Sequence, residues 1–190
     1  MWVFLMTEVM FFGGLFLAYT IYRWKYHDAF AAASRELDVS LGAINTGVLI
    51  LSSFTMALGV WASEMRKRKL LCIFLIATMV LGGVFLTVKG FEYAQKFEHH
   101  LVPGPNFVFP GLEAQHAEIF FALYFLMTGM HAVHMIIGEG LLLVLLIYAW
   151  KGSFTAGYNA PIENGGLYWH FVDIVWIFLF PLLYLIDLHH

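Results

Sequence analysis

Charged residues are scarce in this chain of 190 residues. Asp, Glu, Lys and Arg together make up 12% of the sequence, whereas a soluble domain carries about 25%. The formal net charge of −3 also lacks the basic excess that a nucleic-acid binder needs. With 61% apolar residues, the chain cannot form a water-compatible surface, which excludes a soluble domain and a disordered tail. The composition therefore indicates a membrane protein with no nucleic-acid partner.

Cysteine is almost absent as well. Cys72 is the one cysteine, so no disulfide forms within the chain and no cysteine pair is present to bind a metal. We expect it to be a small buried apolar side chain. The first residues lack the basic region of a removable signal peptide. Because the apolar sequence begins at once, native sequence upstream is left as an alternative.

Long apolar runs in the sequence predict transmembrane helices. Each run is long enough to cross a hydrocarbon core of about 30 Å as a helix that rises about 1.5 Å per residue. Open strands would leave their backbone polar groups unpaired in lipid. The sequence therefore predicts an all-α, polytopic membrane protein, a single domain built as a bundle of five transmembrane helices. The predicted spans are residues 2–22, 41–62, 70–88, 119–147 and 167–186.

The connections predict an orientation. They are short apart from residues 89–118, where proline and glycine predict a long loop. Arg66–Lys69 are four consecutive basic residues in the tightest connection, and the positive-inside rule places such a cluster in the cytoplasm. We therefore expect a cytoplasmic N-terminus and a periplasmic C-terminus.

Aromatic and basic residues near the predicted span ends are expected to lie at the membrane interface. The tryptophans at those ends are Trp24, Trp61, Trp150 and Trp169. The predicted anchor to anionic lipid or to a partner consists of Trp61, Arg66, Lys67, Arg68 and Lys69.

One carboxyl group, Glu8, lies about a third of the way into the first span. A charged group at such depth costs on the order of 2.5–3.5 kcal/mol on insertion scales. Two interpretations remain open from the residues alone. Glu8 is either a proton-linked or lipid-contacting carboxyl, or a structural carboxyl that is hydrogen-bonded to a neighbouring helix or lies near the interface because the helix starts later.

Histidines and further carboxyls lie in the last two spans. His131 and His134 are three residues apart and share a helix face. A metal site would need a third ligand from another span, such as His170 or Glu8, so hydrogen bonding by neutral imidazoles is the preferred interpretation. The sequence predicts no catalytic residue and no metal or cofactor site. It predicts an intramembrane polar network of His131, His134, Glu139, His170 and Asp173.

Four sequence blocks resemble subunit III of the haem-copper respiratory oxidases. They are TEVMFFGGLF from Thr7, NTGVLILSS from Asn45, TGMHAVHMIIG from Thr128 and YWHFVDIVWIFLF from Tyr168. The blocks fall on four of the five predicted spans in the family order. The resemblance covers nearly the whole chain.

The resemblance implies a subunit that packs on subunit I of an oxygen-reducing, proton-pumping complex. It implies that haem and copper lie in partner subunits, that subunit II is a second partner, and that phospholipid is a candidate ligand. Glu8 falls on the family's buried carboxyl, which is associated with carbodiimide reactivity. Members support proton uptake and the stability of the complex.

One departure from the family concerns the number of helices. Many members have seven, and this chain begins at the third, so the lipid cleft lined by the first two is not assumed. Five-helix versions occur in bacteria, which implies the bacterial inner membrane.

Alternative functions remain. Thr7 and Glu8 favour the cytochrome c branch over the quinol oxidase branch, but a quinol oxidase subunit III and a nitric oxide reductase relative share the blocks. A small proton-coupled transporter, with Glu8, His131 and Asp173 as a relay, is a further hypothesis. It is disfavoured because the sequence has no inverted repeat. Membership of a respiratory supercomplex is left open.

Overall fold

A computed structural model describes residues 2–104, 107, 109, 114–152 and 160–185, apart from the side chains of residues 114 and 115. Within these residues all regular structure is helical, and all helices but α2 are long and apolar enough to cross a membrane. The predicted fold class is therefore confirmed. The helices are α1 (Trp2–Lys25), α2 (His27–Ser34), α3 (Val39–Glu64), α4 (Arg68–Glu98), α5 (Ala114–Lys151) and α6 (Ala160–Tyr184).

The predicted loop over residues 89–118 is wrong at both ends. Helix α4 continues to Glu98 and helix α5 begins at Ala114. Hydropathy falls after residue 88 because charged residues appear there, but Lys89, Glu92 and Lys96 are buried against protein. Residue 186, the end of the last predicted span, lies outside the described residues.

The short helix α2 was not predicted, because eight residues are too few to cross a membrane or to show a clear period. Ala29, Phe30 and Ala33 are buried, and the helix packs on α5. Asp38 then starts α3 as its N-cap, since its Oδ1 accepts from the backbone N–H groups of Ser40 at 2.9 Å and Leu41 at 3.2 Å.

A tight turn joins α3 to α4. The backbone N–H of Lys67 donates to the Ala62 carbonyl at 2.9 Å, and Arg66 takes the left-handed conformation with φ 57°, as helix ends that reverse direction require. We call the membrane side that carries this turn the turn face. The opposite side, where α2 lies, is the α2 face.

Helices α3, α4, α5 and α6 form a ring in which each packs on the next, and α1 lies outside it against α5 and α6. Only Phe12 and Tyr19 are buried in α1. The Tyr19 hydroxyl donates to the Leu182 carbonyl at 2.8 Å. The outermost helix is thus held by a few contacts.

Trp169 is not an interfacial anchor, contrary to the prediction. Helix α6 begins at Ala160, which places Trp169 well inside the helix, and its exposure is 0%. Its indole N–H donates to Ser52 Oγ at 3.0 Å. Gly82 and Gly138 lie under the ring, where a Cβ would come within 2.8 Å and 3.0 Å of indole carbons. These two glycines let α4 and α5 approach the indole.

Candidate functional site

The clearest polar contact at membrane depth joins α1 to α5. Glu8 Oε2 lies 3.0 Å from His134 Nε2, and the other ring nitrogen of His134 lies 2.8 Å from the Met130 carbonyl oxygen. The Tyr168 hydroxyl of α6 donates to the backbone carbonyl of His134 at 3.0 Å. The exposed fraction of the Glu8 side chain is 19% and that of His134 is 10%, so the pair lies near the outer surface of the bundle.

The hydrogen bonds of His134 constrain where its protons lie. A backbone carbonyl only accepts, so Nδ1 must donate to Met130. The contact between Nε2 and Glu8 then holds one proton, either as a carboxylic acid facing a neutral imidazole or as a carboxylate facing an imidazolium. The pair is electrically neutral in both forms. Neutrality is the condition under which such a pair is tolerated in hydrocarbon.

His131 has different surroundings, although it shares a helix with His134. It is 1% exposed, and neither ring nitrogen has a hydrogen-bond partner among the described residues. Its ring packs against Phe85 and Trp176, with centroids 5.5 Å and 5.2 Å away. His131 is therefore enclosed by aromatic rings rather than joined to His134.

His170 and Asp173 lie where α6 meets α3. His170 Nδ1 is 2.7 Å from Ser53 Oγ. Asp173 is 2% exposed, and neither of its carboxyl oxygens has a hydrogen-bond partner in the described part of the chain. Both residues line a groove of about 250 Å³ between the two helices.

Glu139 lies elsewhere, on α5 against α4. Its Oε1 is buried without a hydrogen-bond partner among the described residues and occupies the space above Gly82, beside Trp169. The predicted polar network is thus divided into separate contacts. His134 pairs with Glu8, and His170 pairs with Ser53, which also neighbours Asp173. The structure joins neither His131 nor Glu139 to these contacts by a hydrogen bond among the described residues.

A buried ion pair that the sequence did not predict lies toward the α2 face. Lys89 Nζ donates to Glu92 Oε2 at 2.9 Å and to the Tyr184 hydroxyl at 2.6 Å. The hydroxyls of Tyr124 and Tyr184 donate to Glu92 Oε1. The ammonium lies 4.7 Å from the Trp176 ring centroid. We call these five residues the Lys89 cluster.

The spacing of Lys89 and Glu92 was the signal for this cluster. An i, i+3 pair of opposite charges stabilises a helix, and both residues continue the helix beyond the apolar run. The aromatic partners come from α5 and α6, far away in sequence. Further along α4, the Lys96 ammonium donates to the Glu36 carbonyl.

The predicted anchor residues cluster at the turn face, where their contacts are partly with protein. Lys67 Nζ lies 4.9 Å from the Trp61 ring centroid, a cation–π contact. Arg68 Nε donates to the Ala149 carbonyl at 2.9 Å, so Arg68 holds the end of α5. Arg66 and Lys69 are exposed. Anchoring to lipid or a partner stays a prediction.

Within the described residues, no group of three or more His, Cys, Asp or Glu side chains is placed to hold a metal ion. His131 and His134 therefore gain no third ligand from the described residues.

Comparison with known proteins gives one consistent family. The family model for cytochrome c oxidase subunit III matches residues 1–187. The cytochrome c oxidase subunit 3 of Thermostichus vulcanus is 34% identical over 188 residues, which covers 97% of this chain and 84% of the relative. The probable cytochrome c oxidase subunit 3 of Nocardia farcinica is 32% identical over 184 residues, covering 97% and 85%.

Relatives named as quinol oxidase subunits also match. The probable quinol oxidase subunit 3 of Staphylococcus haemolyticus is 29% identical over 188 residues, which covers 98% of this chain and 87% of the relative. Similarity therefore extends to both kinds of oxidase.

Proposed function

The chain belongs to the cytochrome c oxidase subunit III family, and from that premise we propose that it is the non-redox subunit III of a proton-pumping cytochrome c oxidase. In this proposal it packs on subunit I and supports proton uptake and the stability of the complex. The observation that carries the proposal is that the four family blocks meet in space.

The contacts between blocks are specific. Glu8 of the first block pairs with His134 of the third, and Tyr168 of the fourth block donates to that same histidine's carbonyl. Ser53 of the second block pairs with His170 of the fourth. The residues that carry the resemblance thus form the polar contacts between helices, as expected of residues kept for one shared architecture.

Partners and cofactors follow from the same proposal. Subunit I is the main partner and subunit II the second, and haem and copper belong to these subunits rather than to this chain. Phospholipid is the ligand we propose for the apolar outer surface. A respiratory supercomplex is a further level of assembly that the proposal permits.

Location and orientation are part of the proposal. The five candidate spans make the chain a multi-pass membrane protein. We place it in the bacterial inner membrane with the turn face in the cytoplasm, because the basic residues Arg66–Lys69 lie at that face. The start of α1 is then cytoplasmic and the end of α6 periplasmic.

The first experiment isolates the subunit from native membranes in mild detergent and records a reduced-minus-oxidised optical spectrum with mass spectrometry of the copurifying chains. We expect haem absorption and a larger haem-bearing subunit. Oxidation of cytochrome c, and a copurifying copper-bearing subunit II, would favour cytochrome c over quinol as the donor. A colourless preparation without such a partner would contradict the proposal and favour the transporter hypothesis.

A second experiment tests the role of Glu8 with a hydrophobic carbodiimide, which reacts with protonated carboxyl groups. We expect labelling at Glu8, because 19% of its side chain is exposed at the outer surface. The Glu8→Gln variant should assemble nearly as well, since an amide still bonds His134, and should lose the label. Mass spectrometry of the labelled peptide is the measurement.

The matched control is Glu139→Gln, which removes another intramembrane carboxyl and should leave labelling unchanged. Persistent labelling of Glu8→Gln at the original stoichiometry would show that the reactive carboxyl has been assigned to the wrong residue.

A further inference from the structure

The turn between α3 and α4 carries more positive charge than the described part of the chain balances. The connection over residues 62–70 holds four basic side chains, Arg66–Lys69, against one carboxylate, Glu64. The described ion pairs of the chain lie elsewhere and include none of these cations. An excess of three positive charges therefore faces the surroundings at the turn face.

The position of these cations is unfavourable for α4 itself. Arg68 and Lys69 are the first residues of α4, its first turn has no acidic residue, and the N-cap residue Lys67 makes no side-chain capping bond. The positive end of the helix dipole lies at this terminus, so basic side chains there cost free energy and a nearby anion offsets that cost. The stability of the helix therefore does not explain why the basic residues are there.

Two of the cations are positioned by neutral groups of the protein. Lys67 Nζ lies 4.9 Å from the Trp61 ring centroid. The Arg68 guanidinium lies across the end of α5, because its Nε donates to the Ala149 carbonyl at 2.9 Å and a terminal nitrogen is 3.2 Å from where a Cβ at Gly152 would be. The positive charge thus spans the ends of α3, α4 and α5 without a counter-charge in these contacts.

The depth of the turn matches the headgroup layer of a bilayer. Trp61 is exposed, and an amphipathic ring near the end of a span favours the membrane interface. Met65 follows one helical turn later, about 6 Å along the axis. The polar layer outside the hydrocarbon core is about 5–8 Å thick on each side. The basic residues after Met65 therefore lie at the level of the lipid phosphates.

An apolar stripe on α4 continues from Lys69 toward the middle of the bilayer. It consists of Ile73, Ile76, Val80 and Val84, all of them exposed. Their spacing of three or four residues places them on the same helix face as Lys69. The stripe is about 16 Å long at about 1.5 Å per residue, close to the roughly 15 Å depth of one leaflet. We call it the α4 stripe.

We propose that the turn face binds an anionic phospholipid, whose phosphate contacts Arg66 and Lys69 and whose acyl chains lie along the α4 stripe. The phosphate supplies the negative charge that the turn lacks, and the chains cover the apolar residues beneath it. An acidic protein segment or a free phosphate would meet the cations and leave the stripe uncovered. The inference rests on the proposed function, which assigns phospholipid to the outer surface, and it adds the headgroup charge and the binding residues.

The test labels the purified complex with photoactivatable lipids. The complex is placed in phosphatidylcholine nanodiscs that contain a small fraction of either phosphatidylglycerol or phosphatidylcholine, each with the same diazirine on an acyl chain. After irradiation, mass spectrometry measures labelling of the tryptic peptide of residues 70–89, which contains the α4 stripe. We expect the anionic lipid to label it at least about fivefold more, the ratio that corresponds to about 1 kcal/mol for a basic residue near anionic lipid.

Variants and salt test the role of the cations. Arg66→Gln/Lys69→Gln removes two exposed cations and should bring the labelling ratio close to one. The matched control is Lys25→Gln on the α2 face, where an exposed ammonium also lies over a ring, that of Tyr26 at 5.1 Å; it should leave the ratio unchanged. Raised salt should lower the ratio in the unaltered complex, because exposed charges are screened. The salt measurement decides if the double variant does not accumulate.

Inorganic phosphate distinguishes a lipid headgroup from a free anion. At ionic strength matched with chloride, it should leave the labelling ratio unchanged, and loss of the ratio would show that free phosphate occupies the turn. Equal labelling by the two lipids, or no labelling because a protein covers the turn, would also overturn the proposal. A preparation without haem overturns the oxidase assignment instead, and the lipid ratio is read from it in the same way.

Discussion

The intramembrane carboxyl groups of this bundle have different surroundings. Glu8 lies within hydrogen-bond distance of the His134 imidazole, whereas Glu92 accepts from an ammonium and two phenols. Glu139 and Asp173 retain oxygens without a partner among the described residues. An unpaired carboxyl is costly in hydrocarbon. The partners that offset this cost for Glu8 and Glu92 all lie within the subunit. The oxygens without a partner, on Glu139 and Asp173, are enclosed within the bundle.

The contact between Gly82 and α6 yields a prediction at the same scale. A Cβ at Gly82 would overlap Glu139 Oε1 and come within 2.8 Å of the Trp169 ring. The carboxyl can move, but the indole is fully buried. Gly82→Ala should therefore destabilise the subunit by about 1–3 kcal/mol, as overpacking does, measured by thermal or denaturant unfolding in detergent.

The adjacent Gly83 provides the control, because a Cβ there meets nothing within 4 Å. Gly83→Ala should leave stability unchanged or slightly raised, by about 1 kcal/mol or less. Equal losses in both variants would mean that helix backbone effects, rather than the packing of Trp169, determine the result.

At the level of the helices, the sequence predicted the spans better than their ends. Apolar runs make the middle of each helix evident, because no other structure satisfies backbone groups in lipid. The end of α4 was missed because Lys89 and Glu92 reduce hydropathy, although they are buried. Their partners Tyr124 and Tyr184 are brought by other helices, and pairing across such distances is not visible in the local sequence.

The Lys89 cluster predicts a difference between single and double substitutions in α4. Lys89→Met leaves Glu92 buried without its counter-charge and should cost about 3–5 kcal/mol. The double variant Lys89→Met/Glu92→Gln removes both charges and keeps an acceptor for the two tyrosine hydroxyls. It should recover more than half of that loss in the same unfolding measurement. A double variant as unstable as the single one would show that the cation–π contacts of the Lys89 ammonium, not the charge pair, stabilise this end of the bundle.

At the scale of the whole molecule, the contacts described above all lie within this chain. The proposed membrane orientation depends on the basic residues Arg66–Lys69 at the turn face. The candidate site residues predicted from the sequence lie on helices of the bundle, but which of them meet depends on how the helices pack. His131 and His134, for example, share a helix face and have different surroundings. The surroundings of each histidine depend on how the helices are rotated in the bundle, and the spacing of residues along one helix does not reveal that rotation.

Orientation is tested with single cysteines in a Cys72→Ala background. Met65 lies in the turn and His99 just after α4, on opposite faces, and both are exposed. In right-side-out cells or vesicles, His99→Cys should react with a membrane-impermeant maleimide and Met65→Cys should not, and inverted vesicles should reverse the result. The opposite pattern would place the basic turn outside and overturn the proposed topology.

The attachment of α1 has a consequence for synthesis of the protein. Glu8 is separated from His134 by 126 residues and Tyr19 from the Leu182 carbonyl by 163. At about 5–20 residues per second, the ribosome needs about 6–25 s to travel from Glu8 to His134. During that interval α1 has to reside in the bilayer before its partners on α5 and α6 exist. Because α1 exposes apolar residues on nearly every side, it can remain in the bilayer without these partners. The Glu8–His134 contact forms only after α5 has been inserted.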